Sequence, residues 1–238
     1  MALLKEVQAD GARPIRRWLP LLVLIALGVG ALGIGLNFLF VPTAVQADSV
    51  AALAGQEYVD VQLAAFDANP LLIRSHAAIG TLFAVVAALQ FWPAFRKRDF
   101  KRHRLLGFVS GACLILLPVT GVAATIVYPF AGFGAVLPNL VWMAAILFCV
   151  IQAWRAIRAR DVIDHEAWIT RATAMTFGIT LSRIYEPILV HAFHMDVRTA
   201  FAAIFWLGQG EGLIVAEIWL RRPGGPLARR RAREAARA

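Results

Sequence analysis

Six apolar runs follow one another along the chain, each close to the ~20 residues needed to cross bilayer hydrocarbon as a helix. They cover residues 18–40, 71–95, 105–128, 136–157, 168–192 and 199–220. Backbone inside hydrocarbon must satisfy its own hydrogen bonds, so repeated runs of this length leave only a helical bundle. The sequence therefore predicts an all-α, polytopic membrane bundle of six transmembrane helices. The fifth run is interrupted by charge and is the weakest on apolarity alone. Composition agrees: 60% of the residues are hydrophobic and 16% charged, with mean hydropathy +0.67, where soluble domains are about a quarter charged. The first run exceeds the apolar core of a signal peptide, about 7–15 residues, and reads as a retained anchor.

Charge orients the bundle. Lys and Arg number 24 against 15 Asp and Glu, a net +9. A basic balance can signal nucleic acid, but these residues sit in short blocks between apolar runs, which is the layout of cytoplasmic loops. Lys5, Arg13, Arg16 and Arg17 precede the first run, RKRDFKRHR joins the second to the third, and Arg155, Arg158 and Arg160 join the fourth to the fifth. The opposite side holds Arg74 and Arg198 against Asp48, Glu57, Asp60, Asp67 and Asp196. The expectation is N-in and C-in, in the inner membrane of a bacterium, since outer-membrane proteins are barrels. Residues 1–17 form a basic cytoplasmic N-terminus, 18–220 the six-helix domain and 221–238 a basic cytoplasmic tail suited to anionic lipids. In the outer loop, 41–70, Asp48 and Ser49 would cap a short helix carrying Val50, Leu53, Tyr58 and Val61. This helix would lie on the outer surface or cover the mouth of the bundle. Cys113 and Cys149 both fall inside apolar runs; no disulfide and no metal site is expected.

Polar residues in hydrocarbon are expensive and mark candidate sites. The histidines form two layers: His76, His191 and His194 near the outer face, His103 and His165 near the inner. His76 and His103 each precede a glycine by four residues, Gly80 and Gly107, which leaves room beside the imidazole for a flat cofactor or a close helix. Haem b bound by His76, His103, His165 and His191 is one reading, with His76 facing His191 or His194 and His103 facing His165. Interfacial anchoring of helix ends is the plainer one. Dihaem cytochromes commonly carry two histidines about four turns apart on one helix, whereas His165 and His191 are roughly 39 Å apart along theirs.

A second candidate lies deeper. Arg183 and Glu186 share a helix face, and Pro187 should kink that helix. The sixth run holds Gly208-Gln209-Gly210-Glu211-Gly212, a G-x-x-x-G packing face with two polar groups. Arg183 is expected to meet Glu186, Glu211 or both, as a structural ion pair or as part of a proton or anion path. Trp168, Arg171 and Glu217 could join His103 and His165 in a cluster near the inner face.

The pattern His76-x3-Gly80, Gln90, His103-Arg104-Leu-Leu-Gly107, then His165-x2-Trp168-x2-Arg171 resembles an uncharacterised bacterial membrane-protein family catalogued as domain of unknown function 2306. The resemblance spans about residues 75 to 190 and implies a compact helical bundle with no assigned activity. Three functions remain open: a haem-binding redox protein, a small transporter or proton-coupled carrier using Arg183, Glu186, Gln209 and Glu211, and a non-catalytic assembly subunit. Reporters placed after Ala238 and within 96–104 should read cytoplasmic, and one near Asp60 external. A cytoplasmic signal near Asp60 refutes the six-span topology.

Overall fold

The computed structural model describes residues 13–236, and every regular element among them is helical. Helix α1 (Arg13–Phe40) is followed by a connecting segment, the outer loop of the sequence reading: α2 (Thr43–Ala54), the short α3 (Gln56–Tyr58), a π-helical turn Val59–Leu63 and α4 (Ala64–Ala68). Then come α5 (Pro70–Phe91), α6 (Pro93–Arg98), α7 (Phe100–Val127), α8 (Phe133–Arg158) and α9 (Val162–Pro187). A second π-helical turn, Ile188–Ala192, precedes α10 (Val197–Arg221) and α11 (Pro226–Ala235).

Local chemistry sets these boundaries. Pro70, Pro93 and Pro226 open helices, where a missing N–H costs nothing. The second apolar run therefore divides at Trp92, which is extended ahead of Pro93. Asp99, Asp161 and Asp196 cap α7, α9 and α10, accepting from the backbone N–H of Arg102, Asp164 and Thr199 at 2.9, 3.1 and 3.0 Å. Pro187 ends α9, and the chain widens there into the second π turn.

Among the described residues four helices, α5, α7, α8 and α10, are long and apolar enough to cross a membrane by length and composition. Helix α1 adds a shorter apolar stretch, Ile25–Phe40. Helix α9 has the length but carries Asp164, His165, Glu166, Arg171, Arg183 and Glu186. Its position explains why it can. It packs along both α8 and α10 and also touches α1, α2, α7 and α11. Three of its hydroxyls bond its own carbonyls: Thr170 to Glu166 at 2.7 Å, Thr176 to Ala172 at 2.8 Å and Ser182 to Ile179 at 2.5 Å. The apolar core beside it joins Phe83, Leu114, Ile146, Met175 and Phe177. Exposed apolar side chains such as Leu116, Ile151 and Ile218 lie on the outside of the surrounding helices.

Helices α9 and α10 run antiparallel in backbone contact. A Cβ on Gly178 would collide with the Gly208 carbonyl, one on Gly208 with the Gly178 carbonyl, and one on Gly212 with the Ala174 carbonyl. The G-x-x-x-G face thus packs on α9. Helix α1 also docks through small residues: Gly30 faces Thr180 of α9, and Gly35 faces Ala77 and Thr81 of α5.

The connecting segment folds back as a helical cap. Tyr58, Leu63 and Phe66 are buried, and Gln46 bonds Asn37 at 2.9 Å and the Val41 carbonyl at 2.7 Å. Its helix starts earlier than Asp48 and Ser49 suggest: α2 opens at Thr43 after Pro42, and the Ser49 hydroxyl donates back to the Gln46 carbonyl at 2.8 Å. Of its expected apolar face, Tyr58 is buried while Leu53 and Val61 remain exposed, the face being broken at Gly55 between Leu53 and Tyr58 and by the π turn after Tyr58. Cys113 and Cys149 are free and buried.

Gly178→Ala should lower the thermal midpoint in detergent, by the equivalent of about 1–3 kcal/mol for overpacking. Gly111→Ala meets nothing within 4 Å and should leave the midpoint unchanged or raise it. Equal effects of the two changes would refute the backbone contact as the constraint.

Candidate functional site

Helix α9 carries a cation near each end. At its C-terminal end, Arg183 Nη1 lies 3.3 Å from Glu186 Oε2, one turn along the same face. The Glu186 side chain is 4% exposed and that of Arg183 37%, so the carboxylate is enclosed while the arginine side chain is partly exposed. Glu186 Oε1 is buried with no hydrogen-bond partner. Tyr58 of the cap sits against the Arg183 guanidinium. Burial pushes the Tyr58 phenol above its usual range, against the opposing pull of Arg183. The same ring packs on Phe130 and Phe201, at 5.2 and 5.6 Å between centroids.

The cap is tied down around this pair. Arg198 Nε donates to Glu57 Oε1 at 2.7 Å and its Nη1 to the Phe130 carbonyl at 2.6 Å. His191 Nε2 donates to the Ala52 carbonyl at 3.0 Å. The two π-helical turns flank the cluster: one follows Tyr58, the other follows Glu186 and Pro187. Such turns break the regular ladder and recur at functional positions.

Glu186, rather than Glu211, is the carboxylate that Arg183 meets. The Gly212–Ala174 contact places Glu211 about 12 Å farther along the axis than Arg183. Gln209 is brought to the α9–α10 seam, and its Oε1 is buried without a partner. The expected cluster of Arg183, Glu186, Gln209 and Glu211 is thus divided between two depths.

At the other end, Arg171 Nε meets Glu217 Oε1 at 2.5 Å across the α9–α10 interface, and Arg221 Nη1 meets Glu217 Oε2 at 2.6 Å. The Arg171 and Glu217 side chains are 14% and 21% exposed, making Arg171 the more enclosed of the two cations on α9. The Arg171 guanidinium also lies 4.6 Å from the centroid of the Trp168 ring, which packs edge-on against Phe148. Spacing explains the arrangement: His165, Trp168 and Arg171 recur every three residues and share one side of α9.

The histidines take separate partners. His76 Nδ1 lies 2.7 Å from the Thr120 hydroxyl, which itself donates to the Leu116 carbonyl. His165 Nδ1 donates to the Ala153 carbonyl at 2.9 Å. His194 is exposed, with a left-handed backbone. The His103 ring stacks near Phe100 at 6.0 Å, and its carbonyl accepts from Gln90 at 3.0 Å. The Gln90 side chain also occupies the space beside Gly107, and Leu117 the space beside Gly80. Neighbouring side chains therefore use the room that a flat cofactor would need.

The chain matches the family of predicted membrane proteins DUF2306 over residues 73–220. It belongs to the DUF2306 family. No curated protein and no solved structure matches it. The DUF2306 match begins in α5 and ends within α10, so it contains the pairs Arg183–Glu186 and Arg171–Glu217 but not Arg221, α1 or the cap. Tyr58, which contacts Arg183 from outside the matched stretch, had no local signature marking it as a site residue. Glu217 stands forty-six residues from Arg171, and only the antiparallel packing of α9 and α10 joins them.

A double-mutant cycle on Arg171 and Glu217 should give the larger coupling energy, on the order of 1 kcal/mol by membrane-protein precedent. The Arg183–Glu186 cycle should give less, because the Arg183 side chain is the more exposed. Thermal unfolding in detergent measures both, and the reverse order would refute the burial argument.

Proposed function

We propose that this DUF2306 protein is a small proton-coupled carrier of the bacterial inner membrane, with six spans and both termini cytoplasmic. The observation that carries the reading is Glu186: an enclosed carboxylate with one oxygen unpartnered, beside a cation, beneath a cap held by side-chain contacts. Charged groups inside membrane bundles commonly serve ion and proton paths. The second cluster, Arg171–Glu217–Arg221, lies toward the opposite end of the same helix pair. A carrier needs a polar closure on each side of a tightly packed waist, and the glycine contact between α9 and α10 supplies such a waist. The loop charges support the orientation, and the enclosure of α9 accounts for a fifth span of low apolarity.

Proteoliposomes loaded with a pH-sensitive dye should show proton entry above that of protein-free vesicles. Glu186→Gln should slow it about tenfold, a barrier increase of ~1.4 kcal/mol. Entry no faster than in empty vesicles refutes the carrier. The absorption spectrum of protein from haem-replete cells tests the redox alternative: a Soret band weakened by His76→Ala or His103→Ala would replace this reading.

A further inference from the structure

Helix α11 carries its arginines in two sets. Arg229 meets Glu166 at 2.5 Å, and Arg230 meets Asp164 at 2.8 Å and Glu234 at 2.9 Å. These pairs hold the helix against the first turns of α9. Arg231 and Arg233 are exposed and take no carboxylate partner among the described residues.

The chain limits where these two guanidinium groups can go. Helix α10 is apolar enough to cross a membrane and ends at Arg221, and α11 opens at Pro226. The intervening residues, even fully extended, reach at most about 18 Å. Arg222 stacks on Trp219 and donates to its carbonyl at 2.6 Å, and burial pulls its guanidinium down to about 10. Tryptophan at the end of a membrane-crossing helix marks the headgroup level. Arg231 and Arg233 therefore remain within reach of that layer, on a helix already oriented by its pairs with α9.

We propose that α11 is a docking surface for anionic lipid headgroups, with Arg231 and Arg233 as the phosphate-binding groups and Arg229 and Arg230 as the tether to α9. Guanidinium groups match phosphate oxygens through paired donors, and basic residues beside a negatively charged leaflet gain most within a Debye length of it. The proposal rests on the tail and on α10 as a span, and is independent of carrier activity.

The test uses the full chain in nanodiscs, which expose both faces, so it does not depend on orientation. Cys113 and Cys149 are buried, so Ala235→Cys can be labelled selectively with an NBD fluorophore. Its reduction by aqueous dithionite reports how far α11 is shielded. In equal parts phosphatidylcholine and phosphatidylglycerol, reduction should be at least about fivefold slower than in phosphatidylcholine alone, and high salt should abolish the difference. Arg231→Gln with Arg233→Gln should restore the phosphatidylcholine rate. Arg229→Gln with Arg230→Gln should quicken reduction in phosphatidylcholine yet keep the protection given by phosphatidylglycerol. Inorganic phosphate added to phosphatidylcholine nanodiscs should give no protection. Equal rates in the two lipids, protection that survives loss of Arg231 and Arg233, protection lost with Arg229 and Arg230 alone, or protection by free phosphate would each overturn the proposal.

Discussion

At the crossing of α9 and α10 the two backbones touch. Gly178 and Gly208 leave no space for a side chain between them, and Gly212 does the same against Ala174. Helices in lipid gain little from hydrophobic burial against one another, so close approach through small residues is a principal source of their association. This contact sets the relative height of the two helices, and every interaction along the pair inherits that register. It brings Arg171 level with Glu217 and leaves Arg183 too far from Glu211 to pair.

The same packing makes a polar central helix tolerable. Helix α9 packs along α8 and α10 and touches α1 and α7, so Arg171 and Arg183 find protein partners within the bundle. Thr170, Thr176 and Ser182 return hydrogen bonds to their own turns, and its two arginines meet carboxylates. A cation of this kind on a lipid-facing helix would cost several kcal/mol. The surrounding helices can in turn be almost wholly apolar outside, as their exposed leucine and isoleucine side chains show.

The two ends of α9 differ in how they are closed. Near α11 the closure is a shared carboxylate, Glu217, between Arg171 and Arg221, with the tail helix paired alongside. At the other end it is a folded cap whose Tyr58 lies over a less fully satisfied pair. The Arg171–Glu217 pair of the first lies within the DUF2306 stretch, with Arg221 and the tail helix just beyond it, whereas the second borrows Tyr58 from well outside that stretch. This asymmetry places the unpartnered carboxylate oxygen beneath the segment with the most irregular helix geometry.

Much of the architecture was legible in the residues themselves. Run lengths give the helices, proline and aspartate give their ends, and the family pattern lies on the elements that pack around α9. The G-x-x-x-G face and the three-residue spacing of His165, Trp168 and Arg171 are local periodicities, and a helix turns any such periodicity into a shared face. The histidine spacing was legible too, but not the partners, because Leu117 and Gln90 reach Gly80 and Gly107 from other helices. The sequence by itself determined a helical membrane protein and the residues that carry its buried charge, since hydrocarbon thickness and backbone hydrogen bonding leave no other solution for such runs. Only the tertiary structure decided which charges meet, because that depends on the axial register of neighbouring helices. That register comes from a backbone contact between two segments whose separate periodicities carry no common origin.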